Sequence, residues 1–334
     1  MNGAPQTRVA ASSLRALLDG LIDYAGLFPP ASLDMKAAVA NYAGYLASEH
    51  RWALGRFIVS VGRLEGFQLE QAALFNPDLA SSFTGILEGF AQGYAINKRD
   101  CLPWRLSAIL SMNVESELDL IAQFNGEHSS RALIDVVEIK ASSIDDVRRL
   151  RPLIPENITP YFEIPADSPP ELFHMLAAVH ARAKIRTGGI VETAIPAAEL
   201  VAQFIIRCAD ENLPFKATAG LHHPLRCVKP LTYQANAPTG TMHGFLNLFL
   251  AACAYRELEE KPNLSDLLAI LLNDAPEKFS FHDDRVTLNV GRSSSNELSV
   301  STDAIRHARE NFAISFGSCS FEEPIEDLRN FHLL

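Results

Sequence analysis

Cysteine is scarce and unpaired in this 334-residue chain: Cys101, Cys208, Cys227, Cys253 and Cys319 are scattered, with no Cys-x-x-Cys spacing. An odd, dispersed set excludes a disulfide framework and a thiolate zinc site, both of which need paired or close spacing. Basic charge is also short. Lys and Arg total 29 against 40 Asp and Glu, a formal charge of −11, and no run of five like charges occurs. That excludes nucleic acid, whose binding rests on basic patches that neutralise phosphates, and it disfavours anionic membranes. Long apolar runs are missing too: no window approaches the roughly 20 residues of a membrane span, and the stretch Gly244 to Ala254 is far shorter. The opening MNGAPQTRVAASSLRALLDG lacks the apolar run of a signal peptide. The expectation is a cytoplasmic protein with no nucleic-acid or membrane partner.

Nucleotide signatures are absent as well. No Gly-x-Gly-x-x-Gly follows the first strand-like run, and no Gly-x-x-x-x-Gly-Lys-Ser/Thr occurs. What is present is an ordinary globular composition, 48% apolar and 21% charged, enough for a sizeable core.

Along the chain, short apolar or β-branched runs alternate with amphipathic stretches, the pattern of βα units and a parallel sheet. Strands are predicted at Arg56 to Val61, Arg105 to Ser111, Leu133 to Lys140, Pro160 to Pro165, Lys184 to Thr187 and Phe215 to Thr218. Helices are expected over Ser12 to Leu21, Met35 to about Glu49 with Asp34 as cap, Ser116 to Phe124, Ile144 to Leu150, Pro169 to Arg182 with Ser168 as cap, and Pro196 to Asp210. Residues 225 to 242 read as a long loop, Gly244 to Arg256 and Leu264 to Asn273 as helices, and Lys278 to Val290 as a β-hairpin. Six consecutive βα units rarely stop without closure, so the expected fold is an α/β (β/α)8 TIM-like barrel with an irregular C-terminal part. Strands seven and eight have no assignment, and an open doubly wound parallel sheet is the alternative. Residues 1–54 are expected to form an N-terminal helical extension packed on a barrel of residues 55–334, a single domain overall.

Side chains two apart on a strand share a face. Lys184 and Arg186 therefore oppose Ile185, Lys216 and Thr218 oppose Phe215 and Ala217, Glu163 and Tyr161 oppose Phe162 and Ile164, and Glu138 and Lys140 oppose Val137 and Ile139. Burying unpaired charge is costly, so these groups are expected to face a wet pocket at the strand C-terminal ends, where barrels of this kind carry their chemistry. The following turns, Thr187-Gly188-Gly189 and Ala219-Gly220-Leu221-His222-His223-Pro224, bring glycine backbone N–H groups within reach of an anion. His222 and His223 point to opposite sides of an extended loop and cannot chelate one ion. His243 and Asn247, one helical turn apart, are either a further substrate-binding pair or a pair that caps and packs the helix. Cys319 lies in a small-residue turn with no basic partner nearby in sequence. Asp23, Tyr24 and Gly26 to Pro30 either cover the pocket, plug the barrel bottom, or simply pack against it.

These residues suggest an enzyme acting on a small carboxylate- or phosphate-bearing carbonyl compound, a lyase or isomerase. Lys216 is the candidate nucleophile or electrostatic stabiliser, Glu163 or His222 the acid or base, and Lys184 with Arg186 the anion clamp. Further substrate-binding candidates are Thr187, Gly188, Gly189, Thr218, Gly220, His223 and Lys140. A Schiff base needs a neutral amine, which a neighbouring cation favours. The run Lys216-Ala217-Thr218-Ala219-Gly220 resembles the Lys-x-x-x-Gly strand end of class I aldolases of the deoxyribose-phosphate type, over one strand of the chain. That resemblance implies Schiff-base chemistry at Lys216, with Lys184 lowering its pKa; no cofactor is expected, apart from a possible divalent metal. Two alternatives remain: a lyase or hydrolase using a divalent metal held by Glu138 and Glu163, and a non-catalytic protein that binds an anionic metabolite. The apolar helix near Gly244 to Tyr255 implies deep burial or a homo-oligomer interface.

Overall fold

The computed structural model describes residues 10–76, 103–291 and 297–334, so Cys101 lies outside the described residues. Its central feature is a closed barrel of eight parallel strands. In chain order these are β1 (Ile22–Tyr24), β2 (Leu54–Ser60), β3 (Trp104–Ile109), β4 (Ala132–Lys140), β5 (Thr159–Ile164), β6 (Arg182–Arg186) and β7 (Phe215–Thr218), closed by Ala313–Ser318. The six predicted strands are β2 to β7, close to the expected bounds, and the open-sheet alternative is not found.

The two staves that sequence left unassigned lie at the ends of the chain. β1 is only three residues long, yet pairs with β2 on one side and with Ala313–Ser318 on the other. The boundary drawn at residue 54 thus cuts the first stave from its barrel. Between β7 and the last stave come the hairpin β8 (Cys227–Pro230) and β9 (Thr239–Met242), and then the antiparallel sheet of β10 (Phe279–Phe281), β11 (Arg285–Asn289) and β12 (Glu297–Ser301). The closing stave is therefore β13.

Helices α1 (Ser12–Leu18), α2 (Met35–Ala47) and α3 (Leu64–Leu74) are followed by α4 (Val114–His128), α5 (Ile144–Leu150), α6 (Pro170–Ala178) and α7 (Ala198–Asp210). Local chemistry sets several of their ends. Asp34 Oδ1 accepts from the Ala37 N–H at 2.7 Å, and Ser143 with Asp146 forms a reciprocal capping box. The expected Ser168 cap is not made. Pro169 takes the cap position, and the Ser168 hydroxyl instead donates to the Pro165 carbonyl at 2.7 Å.

The face assignment from strand alternation holds. Phe57, Val59, Leu106, Ala108, Val137, Ile139, Phe162, Ile164, Ala183, Ile185, Phe215, Ala217 and Phe316 join the core between sheet and helices. α8 (Phe245–Glu257) is buried on every side over Phe245 to Ala254, packed against α7, α9 (Leu264–Leu271), α10 (Thr302–Asn311) and β13. Its apolar character is accounted for within one chain. The C-terminal helix α11 (Glu322–Asn330) follows β13. Among the described residues no helix is long and apolar enough to cross a membrane.

Candidate functional site

Polar side chains, rather than the usual branched apolar ones, fill much of the barrel interior. Toward the strand N-terminal ends, the Arg56 guanidinium makes two bonds to Asp135, at 3.0 and 2.9 Å, and Arg105 also pairs with Asp135. The Arg182 guanidinium donates to the Tyr161 hydroxyl at 2.9 Å. Above them begins a chain of alternating charge. Lys216 Nζ lies 2.6 Å from Asp23 Oδ2 and 2.7 Å from Glu138 Oε1. Lys184 Nζ lies 2.7 Å from Glu138 Oε2 and 2.7 Å from Glu163 Oε2, and Arg186 Nε reaches Glu163 Oε1 at 3.5 Å. The sequence Asp23, Lys216, Glu138, Lys184, Glu163, Arg186 alternates sign at every step and runs from the sealed interior to a half-exposed guanidinium.

Neutral donors complete the satisfaction of these buried carboxylates. Ser107 Oγ donates to Glu138 at 2.6 Å, Ser315 Oγ to Asp23 at 2.8 Å, and the Arg56 backbone N–H to the other Asp23 oxygen at 2.7 Å. Gly55 makes room for that last bond, since a Cβ there would lie 2.3 Å from Asp23 Oδ1. Burial alone would push the Glu138 carboxyl up, but the two lysine ammonium groups hold it well below the usual carboxylate range. Glu163 is held down in the same way, with burial outweighed by Lys184, Arg186 and Lys140. Burial would lower Lys216, yet Asp23 and Glu138 raise it above an ordinary lysine.

The charged chain surfaces in a cavity of about 620 Å³ at the C-terminal mouth. Glu138, Glu163, Lys184, Lys140, Arg186, Thr218, Gly189, Gly220 and His222 line it, as the sequence led us to expect. Ala25, Phe28, Pro29 and Pro30 form part of its wall, so the loop after β1 covers the pocket and does not plug the bottom.

Several expected roles are corrected. Lys216 is 1% exposed and is not on the cavity wall. Its amine is clasped by two carboxylates and held protonated, which does not suit the Schiff-base nucleophile implied by the aldolase resemblance. Thr187 and Gly188 support the pocket from behind. The Thr187 hydroxyl donates to the Ala219 carbonyl at 2.7 Å, and a Cβ on Gly188 would meet Gly220 Cα at 2.7 Å, so the loops after β6 and β7 touch through their glycines. Gly220, at φ +76°, also needs the left-handed conformation that glycine adopts freely.

His223 turns away to Asp327, 2.6 Å from its Nδ1. His243 bonds the Pro196 carbonyl at 2.8 Å, and burial lowers its pKa. Asn247 is fully buried, accepting from the Arg226 N–H and donating to the Ile270 and Asn273 carbonyls. None of these three lines the cavity.

Glu138 and Glu163, the candidate metal pair, are bridged by the Lys184 ammonium, which stands where a cation between them would sit. Among the described residues no group of three or more His, Cys, Asp or Glu is placed to hold a metal ion.

Sequence reasoning missed the role of Asp23, Ser107 and Ser315 inside the barrel. It also missed the neighbours of Cys319, whose sulfur lies 3.9 Å from His222 Nδ1 and 3.7 Å from the Tyr233 hydroxyl. An acid placed between Ile22 and Tyr24 in an apolar run was the available signal for Asp23. No local signal existed for the contact between Cys319 and His222, which joins loops after different staves.

In comparisons with known proteins, no family model matches the chain. No curated protein matches it either. Among solved structures, FabK from Thermotoga maritima is similar at 15% identity and a TM-score of 0.31, over 65% of this chain and 56% of that one. A point mutant of the same protein is similar at 13% identity and a TM-score of 0.34, over 97% of each chain. The first match thus spans little more than half the length of that chain. The barrel stands on its own closed strand pairing.

Proposed function

We propose that this barrel is an enzyme acting on a small carboxylate- or phosphate-bearing carbonyl compound, as a lyase or isomerase that passes through an enolate. The observation that carries the reading is the alternating-charge chain that ends in the cavity at Lys184, Glu163 and Arg186. Arg186 and Lys140 supply cationic groups for the substrate's anionic end, and Arg186 offers the planar fork suited to a carboxylate or phosphate. Glu163 is held low and is the more exposed of the two carboxylates on the cavity wall, so it takes a proton from the carbon beside the carbonyl or from a neighbouring hydroxyl. Lys184, fixed between two carboxylates, is an ammonium donor for the oxygen on which charge develops. Asp23, Lys216 and Glu138 sit beneath and hold Lys184 in position.

The test is solvent deuterium incorporation, read by NMR, over a panel of 2-oxo acids and phosphorylated aldehydes and ketones in D₂O. At least one compound is expected to exchange its α-hydrogen, and Glu163→Gln to slow that exchange by about 10²- to 10⁴-fold. Borohydride added to the same mixtures is expected to leave no adduct on Lys216. If no compound exchanges above the protein-free rate, the proposal fails.

A further inference from the structure

A second group of titratable side chains lies on the same cavity, outside the charged chain. Cys319 follows β13 and His222 follows β7, and those two staves are adjacent in the barrel. Both side chains line the cavity shared with Glu163, Lys184 and Arg186. Cys319 Sγ lies 3.9 Å from His222 Nδ1, and the same nitrogen lies 3.2 Å from Glu323 Oε2. The exposed Tyr233 closes the group, with its hydroxyl 3.7 Å from Sγ and donating to Glu323 at 2.9 Å. His223 stays with Asp327 and leaves Glu323 to His222.

This setting differs from that of the other buried thiols. Cys208 and Cys253 are fully buried in the apolar core, where burial pushes the thiol up, to about 12 for Cys253. Burial would lower the His222 pKa, but its contacts with Cys319 and Glu323 raise it to about 10. A sulfur beside an imidazole that a carboxylate orients is the arrangement of a nucleophilic thiol.

We infer that Cys319 is a nucleophile of this cavity, adding its sulfur to the carbonyl carbon of an aldehyde substrate or product, with His222 as the proton carrier. The inference rests on the carbonyl reading above and narrows it to an anion-bearing aldehyde, since thiols add readily to aldehydes and poorly to ketones. In the step, the sulfur electron pair forms the C–S bond and the C=O π pair moves to oxygen. The thiol proton passes by way of the His222 ring to that oxygen. The product is a hemithioacetal, with no leaving group and no change of oxidation state. Glu323 is a positioning residue that acts through His222.

The probes are iodoacetate and glyoxylate, applied to the full-length protein, with peptide mapping by mass spectrometry. Iodoacetate is expected to alkylate Cys319 at least tenfold faster than Cys208, Cys227 or Cys253, and His222→Gln to slow that labelling tenfold or more at pH 7. Glu323→Gln, which leaves the ring in place, should slow it by a smaller factor and covers the case of a His222 variant that does not fold. Glyoxylate should protect Cys319, whereas acetate, which has the charge without the aldehyde, should not. Equal labelling of Cys319, Cys208, Cys227 and Cys253, labelling unchanged in both variants, or equal protection by acetate would overturn the inference. The two proposals separate cleanly: deuterium exchange without selective Cys319 labelling removes only the nucleophile. Selective, glyoxylate-protected labelling that persists in Glu163→Gln, with no exchange in the parent, removes only the enolate reading.

Discussion

Glu138 is the residue on which the barrel interior turns. Each of its oxygens meets a different lysine, and Ser107 adds a third partner. A buried ion pair contributes little net stability against a well-packed apolar core, but removing one partner leaves uncompensated charge. Glu138→Gln takes one of two carboxylates from each of two buried ammonium groups, leaving Lys216 with Asp23 and Lys184 with Glu163; the one uncompensated charge is expected to cost about 3–5 kcal/mol in urea unfolding. A loss below about 0.5 kcal/mol would mean that the network is wetter than its burial implies. The pH response has a definite sign. Glu138 and Glu163 are held low, so their contribution is complete above their unfolded values, about pH 4.3, and is lost as the pH falls through the lowered folded ones. Lys216 is held high, so its contribution is complete below about pH 10.4 and is lost at higher pH. His222, raised to about 10, contributes fully below the ordinary histidine value and progressively less as the pH climbs to 10. The melting-temperature gap between the parent and His222→Gln should therefore be widest at pH 6 and narrow toward pH 10.

At the scale of elements, the pocket depends on two loops that meet backbone to backbone. A Cβ on Gly188 would lie 2.7 Å from Gly220 Cα and 3.1 Å from its nitrogen, and neither atom can swing aside as a flexible side chain would. Gly188→Ala is expected to cost about 1–3 kcal/mol by overpacking, and to lower any deuterium exchange by up to about a hundredfold by displacing Gly189, Gly220 and His222. Calorimetry with the exchange assay checks both. The strands β4 to β7 were legible as elements because an inward charge alternates with an outward apolar residue, as in Lys184-Ile185-Arg186. β1 escaped because three residues do not establish a period, and β13 because Ser315, Gly317 and Ser318 resemble a small-residue turn.

For the whole molecule, closure joins the two ends of the chain: β13 pairs with β1, and α11 brings Glu323 and Asp327 to the two histidines. Deleting residues 312–334 opens the barrel between β1 and β7, strips the Ser315 partner from Asp23 and frees both histidines. The truncated chain is expected to aggregate and to show no cooperative thermal transition by circular dichroism, because parallel staves left unpaired expose their backbone groups. A soluble fragment with a sharp melt would show that closure is not needed for folding.

Side-chain alternation along each strand is a local property, so the chain by itself decided that charges face one way and apolar groups the other, and that a barrel with a charged mouth follows. Which charges meet is a matter of register between strands far apart in sequence. Only the closed barrel could bury Lys216 between Asp23 and Glu138, leave Lys184 and Glu163 at the cavity, and set Cys319 beside His222. Local pattern encodes which face a residue takes, and long-range pairing decides what it faces.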